Sequence, residues 1–264
     1  MTVPPILIPH ASGTNRDGEA ARAIELAGGD PHVVHVNQLR SGQVDFADHA
    51  ALLIPGGFSY GDALGAGERL ALELRTWFGE QVTSMVDAGK PILGICNGFQ
   101  VLVKAGLLPG PPTETRRVTL THNKRGKFEC RWVTLEVAPT VRSGWLAPLG
   151  QTLIRCPVAH GEGRIATRRD ESSDELNEQH LVAFTYRESG AAPVVNGHPQ
   201  QARGAYPANP NGSIADIAGL CDLSGLIVGL MPHPEDHIYD WQRPNGPAGG
   251  SGLPLFESFV AATR

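Results

Sequence analysis

Short, continuously apolar runs alternate with helical periodicity over the first hundred residues. Ile6-Leu7-Ile8 is apolar at consecutive positions, the pattern of a strand buried on both faces. Over residues 17–27, Ala20, Ala21, Ala23, Ile24 and Leu26 recur at helical spacing, and Gly28-Gly29 closes the segment. A β-branched run at 32–36, an apolar run at 50–54, a long amphipathic helix over 68–88 closed by Gly89, and a fourth strand at 91–95 follow. Buried strands alternating with helices predict an α/β fold built on a doubly wound, mostly parallel sheet.

The texture changes after Gly110. Residues 117–121 and 128–137 read as strands of a hairpin-like insertion turning at Asn123-Lys124-Arg125-Gly126. Residues 168–179 form a charged surface segment. The stretch 194–213 reads as an ordered loop shaped by Pro199, Pro207, Pro210 and Gly212. Strand texture returns at 215–220 and 226–231, and 253–262 reads as a closing helix. With no internal repeat and no linker composition, the expectation is one domain, 1–264, carrying a β-rich insertion at about 111–213.

Composition narrows the class. Lys and Arg number 22 against 27 Asp and Glu, a net charge of −5, so there is no global basic surface for nucleic acid. No run reaches the roughly 18 apolar residues that a membrane-spanning helix needs, and the start of the chain has neither a basic nor an apolar leader segment. Cytoplasmic residence is therefore the expectation. Cys96, Cys130, Cys156 and Cys221 form no Cys-x-x-Cys pair, which argues against zinc and against a dithiol redox site. The last three read as small apolar fillers in or near strands. Glycine and proline number 32 and 21, about one residue in five where ordinary usage is about one in eight, so backbone turns and close approaches must be unusually many.

Three stretches carry chemistry. In Pro91-Ile92-Leu93-Gly94-Ile95-Cys96-Asn97-Gly98-Phe99-Gln100 an apolar strand enters a Gly-x-Cys-x-Gly turn and then a helix over 99–105, a nucleophile elbow with cysteine in the serine's place. Such a turn leaves no room for bulk on either side, and it sets the sulfur at the carboxyl edge of the sheet, at a helix N-terminus that favours thiolate. In Met231-Pro232-His233-Pro234-Glu235 the prolines hold the preceding residues extended. His233 and Glu235, two apart, then point the same way, a base and the carboxylate that orients it. In Ile54-Pro55-Gly56-Gly57-Phe58-Ser59-Tyr60-Gly61-Asp62 paired glycines follow a strand. A backbone N–H of these glycines, with that of Asn97, is a candidate oxyanion hole. There is neither a phosphate loop nor a dinucleotide fingerprint, so no ATP site is expected in the chain itself.

Cysteine elbow, downstream His-x-Glu and Gly-Gly strand end together resemble the flavodoxin-like class I glutamine amidotransferases. With the further stretches Phe128-Glu129-Cys130-Arg131-Trp132, His160-Gly161-Glu162-Gly163-Arg164 and Tyr206-Pro207-Ala208-Asn209-Pro210-Asn211-Gly212-Ser213, the resemblance narrows to glutaminase subunits of phosphoribosylformylglycinamidine synthase and spans nearly the whole chain. It implies a Cys96–His233–Glu235 triad and an oxyanion hole at Gly57 and Asn97. It also implies glutamine binding by Gly56, Phe58 and Gln100, and no metal or cofactor in this chain. ATP and magnesium would belong to a separate synthetase subunit, with a small bridging subunit as a further candidate partner and 128–132 and 160–164 as candidate docking segments. Two positions depart from that family's habit: Arg16 where a cysteine is usual, and Asp236 where an arginine is frequent. The latter reverses a charge beside the site. Another class I glutaminase, a flavodoxin-like cysteine hydrolase and a non-catalytic regulatory subunit stay open as alternatives.

Overall fold

A computed structural model describes residues 2–110, 117–150, 152–168, 173–188, 194–195, 198–243 and 250–264. In chain order the strands are β1 (Pro5–His10), β2 (Asp30–His35), β3 (Ala51–Ile54), β4 (Ile92–Ile95), β5 (Val118–Thr121), β6 (Glu129–Val137), β7 (Leu153–His160), β8 (Arg164–Thr167), β9 (Val182–Arg187), β10 (Val194–Val195), β11 (His198–Pro199), β12 (Ile217–Cys221) and β13 (Ile227–Leu230). The helices are α1 (Asp17–Leu26), α2 (Val36–Arg40), α3 (Glu68–Thr76), α4 (Gly79–Asp87), α5 (Asn97–Lys104), α6 (Ser173–Glu178) and α7 (Leu253–Ala261).

Nine strands form one sheet in the order β2-β1-β3-β4-β13-β12-β9-β6-β7. From β2 to β13 the neighbours run parallel. From β13 to β7 they run antiparallel. Every residue of β3, β4 and β13 is buried, as strands covered on both faces require. These three lie side by side with Ile54 opposite Gly94 and Leu230 opposite Ile95. The Gly-Gly segment, the cysteine turn and the His-Pro-Glu segment therefore leave the sheet at one carboxyl edge, where open α/β sheets place their ligands.

Two expected elements are corrected. The single helix over 68–88 is two helices, α3 and α4, separated by Trp77 and Phe78. Phe78 leaves helical geometry at φ −121°, ψ 9° and buries its ring against Phe46, 5.3 Å between centroids, while Arg40 covers Trp77. One continuous helix could not bring both rings to those places. The hairpin is the second correction. The turn at Asn123 exists, with Gly126 N–H donating to Asn123 O, but β5 and β6 part company after it. β5 pairs with β8 in a small sheet of its own, whereas β6 joins the large sheet between β7 and β9. The apolar run Val133, Leu135 and Val137 is fully buried there, a burial that a free-standing hairpin would not provide. Much of the insertion is thus the antiparallel half of the sheet.

The 168–179 segment contains α6, but residues 169–172 lie outside the described residues. In the 194–213 loop, β10 and β11 pair with each other, and 196–197 lie outside the described residues. Cys156 and Cys221 are buried, as fillers should be, but Cys130 is exposed on β6.

Candidate active site

Cys96 joins β4 to α5 with φ 50° and ψ −103°, a conformation that L-residues adopt only where the surroundings impose it. The flanking glycines explain how the turn closes. A Cβ on Gly98 would collide with the carbonyl oxygen of Ile54. Gln100 N–H already donates to Cys96 O at 3.0 Å, so the helix begins at the cysteine.

His233 and Glu235 meet by a different local route from the one their spacing suggests. Pro234–Asp236 forms a 3-10 turn rather than an extended run, closed by Asp236 N–H donating to His233 O at 3.2 Å. Pro234, with its fixed φ, opens that turn. The turn folds Glu235 back so that its Oε1 lies 2.6 Å from His233 Nδ1, with both side chains buried. A second anchor is His233 N–H donating to Pro157 O at 2.8 Å. Gly56 makes room for the ring, since a Cβ there would lie 2.7 Å from His233 Cε1.

Burial alone would push the His233 imidazole down, but the Glu235 carboxylate and the negative charge of Cys96 reverse this and hold it well above its ordinary value. His233 Nε2 is buried and makes no hydrogen bond of standard geometry among the described residues, and the ring's polar neighbour besides Glu235 is the Cys96 side chain.

Cys96 lines a pocket of about 210 Å³ with Gly57, Phe58, Asp62, Gln100, Phe128, His160 and Glu162. Larger depressions of about 340 and 590 Å³ lie elsewhere, one between Asp45 and Lys90 and one between Trp145 and Ala262, and neither is lined by Cys96, His233 or Glu235. Size is therefore a poor guide here, and chemistry picks the smaller pocket. Gly57 sits at φ 130°, and neither its N–H nor that of Asn97 has a hydrogen-bond partner among the described residues. Both remain available to an oxyanion. Gln100 is buried with both ends already engaged. Its Nε2 donates to Glu162 O at 2.7 Å, and its Oε1 accepts from Asn97 Nδ2 at 3.1 Å. Phe58 is half exposed at the rim, and Gly56 stands between His233 and the Arg16 side chain.

Several contributors carried no role in the sequence reading. The Asn97 side chain accepts from Ser59 Oγ at 2.6 Å and donates to Asp62 at 3.2 Å, tying the loop after β3 to the elbow helix. Asp62 and Glu162 make the pocket acidic, which suits the ammonium of an amino acid, and burial raises the Asp62 carboxyl above its ordinary value. Ser59, Asp62 and Glu162 all stand inside motifs already noted, but nothing in the spacing assigns them partners. The two unusual residues prove to be neighbours: Arg16 lies 3.3 Å from Asp236, which burial and Glu235 push up to about 6. Among the described residues no group of three His, Cys, Asp or Glu side chains is placed to hold a metal ion.

The CobB/CobQ-like glutamine amidotransferase domain matches residues 3–261. The chain is 47% identical over 251 residues to the phosphoribosylformylglycinamidine synthase subunit PurQ of Treponema denticola, covering 91% of this chain and 90% of that protein. It is 41% identical over 263 residues to the PurQ of Dehalococcoides mccartyi, covering 98% and 97%. The solved structure of PurLQS from Thermotoga maritima matches with a TM-score of 0.68 at 30% identity, covering 98% of this chain and 99% of the matched chain. On sequence, fold and the residues gathered at one sheet edge, the chain belongs to the PurQ family of phosphoribosylformylglycinamidine synthase subunits, within the glutamine amidotransferases.

Proposed function

We propose that this subunit supplies ammonia by hydrolysing glutamine through Cys96, His233 and Glu235. The observation that carries the proposal is the buried His233–Glu235 pair at 2.6 Å beside a cysteine held at positive φ. Cys96 attacks the side-chain amide carbon of glutamine, and the oxyanion is held by the N–H groups of Gly57 and Asn97. The departing nitrogen takes a proton from His233, and ammonia leaves. Water, deprotonated by the now neutral His233, then hydrolyses the thioester to glutamate. Glu235 keeps the ring oriented and offsets its charge in both halves. Gly56, Phe58 and Gln100 shape the pocket for glutamine, Gln100 with the amide hydrogen and lone pair that its internal bonds leave over.

Ammonia in water near neutral pH is mostly protonated and unreactive, so the product must pass directly to the synthetase subunit, which converts formylglycinamide ribonucleotide to its amidine. ATP and magnesium act there, and a small bridging subunit completes the assembly. Segments 128–132 and 160–164 border the pocket and form the docking face. Among the described residues no helix is long and apolar enough to cross a membrane.

Glutamate release from glutamine, measured for the chain with its synthetase, tests the reading. Native protein should release glutamate, and Cys96→Ala should lose at least about 1,000-fold of that rate. Equal release by the variant, or none by the native complex, ends it.

A further inference from the structure

The turn His160-Gly161-Glu162-Gly163-Arg164 has no part in the triad chemistry, yet its first residues line the Cys96 pocket. His160 ends β7, is 3% exposed, and lies close enough to His233 to feel its charge. Its protonation state can be read from its partners. Asn123 Nδ2 donates to the carbonyl oxygens of Lys127 and His160, each at 2.8 Å, which fixes the amide's orientation. Asn123 Oδ1 therefore faces the ring, accepting from Gly163 N–H at 3.1 Å and lying 3.1 Å from His160 Nδ1. An amide oxygen cannot donate, so His160 Nδ1 carries the proton and Nε2 presents a lone pair. That Nε2 is buried and has no hydrogen-bond partner among the described residues. Burial first, and then the charge of His233, lower the ring to about 4, so the lone pair persists at neutral pH.

The surroundings hold this ring closely. A Cβ on Gly163 would come within 2.5 Å of Nδ1 and Cε1, so the ring packs on bare backbone. Asn211, fully buried, donates to Gly163 O at 2.7 Å and holds the turn from below. Two imidazole rings thus belong to one small region, with opposite capacities: His233, in contact with Cys96, gives a proton, and His160 Nε2, unpartnered among the described residues, accepts a hydrogen bond. A nitrogen that takes a proton while still carrying N–H groups satisfies both.

We propose that His160 Nε2 is the acceptor that positions the amide nitrogen of glutamine, and then the ammonia formed from it, opposite His233. The assignment rests on the glutaminase reading. Because Nε2 carries no proton, His160 holds ammonia without converting it to ammonium. No bond is made or broken at His160.

The test compares glutamine with glutamate γ-methyl ester, whose leaving oxygen has no N–H to donate, using the chain in complex with its synthetase. His160→Phe should lower kcat for glutamine about tenfold or more, with the ester rate within about twofold of native. Equal losses on both substrates would mark His160 as merely structural, and no loss on either would also overturn the proposal. Failure of the native complex to hydrolyse either substrate would instead count against the glutaminase reading. Should the variant not fold, 15N NMR of ring-labelled native complex decides: a pyridine-type Nε2 and pyrrole-type Nδ1 at neutral pH are expected, and a protonated Nε2 overturns the assignment.

Discussion

Asp236 shows how single residues set the local electrostatics. Its carboxyl is half buried beside Glu235, and although Arg16 and His233 pull it down, burial and Glu235 dominate and leave it at about 6. A folded-state value above the ordinary 3.8 means that the native protein binds more protons than the unfolded chain between those two values, so stability falls as pH rises through that window. Asp236→Asn removes this loss. The variant should gain in melting temperature relative to native as pH rises from about 4 to 7, although it sacrifices the Arg16 contact at every pH where that contact exists. A difference that stays constant across the range would refute the assignment. The pairing of Arg16 with Asp236 also explains how both departures coexist: a cation on the α1 side faces an anion on the His-Pro-Glu turn.

Among the elements, the loop before β12 has the clearest structural task. Asn211 donates to Gly163 O and to Tyr186 Oη at 3.1 Å, and its Oδ1 accepts from Ser213 Oγ at 2.7 Å. Asn211→Ala strands several of these buried groups and should cost about 2 to 4 kcal/mol in urea unfolding. A loss under about 0.5 kcal/mol would mean that the network is not held together by this amide. Proline, asparagine and glycine crowding marked this stretch as ordered, but its target, the His160 turn, lies 48 residues away in the chain. The expected hairpin failed for the same reason. Turn chemistry at Asn123 was correctly indicated, whereas the partners of β5 and β6 were chosen by burial against distant strands. The α3–α4 break likewise reflects a distant receptor, Phe46, for the Phe78 ring.

At the scale of the whole molecule, exposed Phe128 lines the Cys96 pocket, and Arg131, three residues on, joins Arg125 in covering the exposed ring of Tyr206, at 4.5 and 4.0 Å. Cys130 lies exposed within the 128–132 segment, which gives a direct footprint. In the free chain iodoacetamide should alkylate Cys130 readily, while Cys156, raised far by burial, and Cys221, pushed up to about 11, stay unmodified. Adding the synthetase subunit should protect Cys130, as read by mass spectrometry, and undiminished alkylation would remove 128–132 from the proposed docking face. Residue order alone determined the strand-helix alternation, the glycine-bounded cysteine turn and the His-x-Glu pair, because each depends on contacts within a few neighbouring residues. Only the tertiary structure decided that β6, β7 and β9 extend the main sheet, that Arg16 meets Asp236, and that His160 comes to the cysteine with a bare lone pair. Those outcomes depend on which distant groups share a buried volume, and no local pattern along the chain encodes that choice.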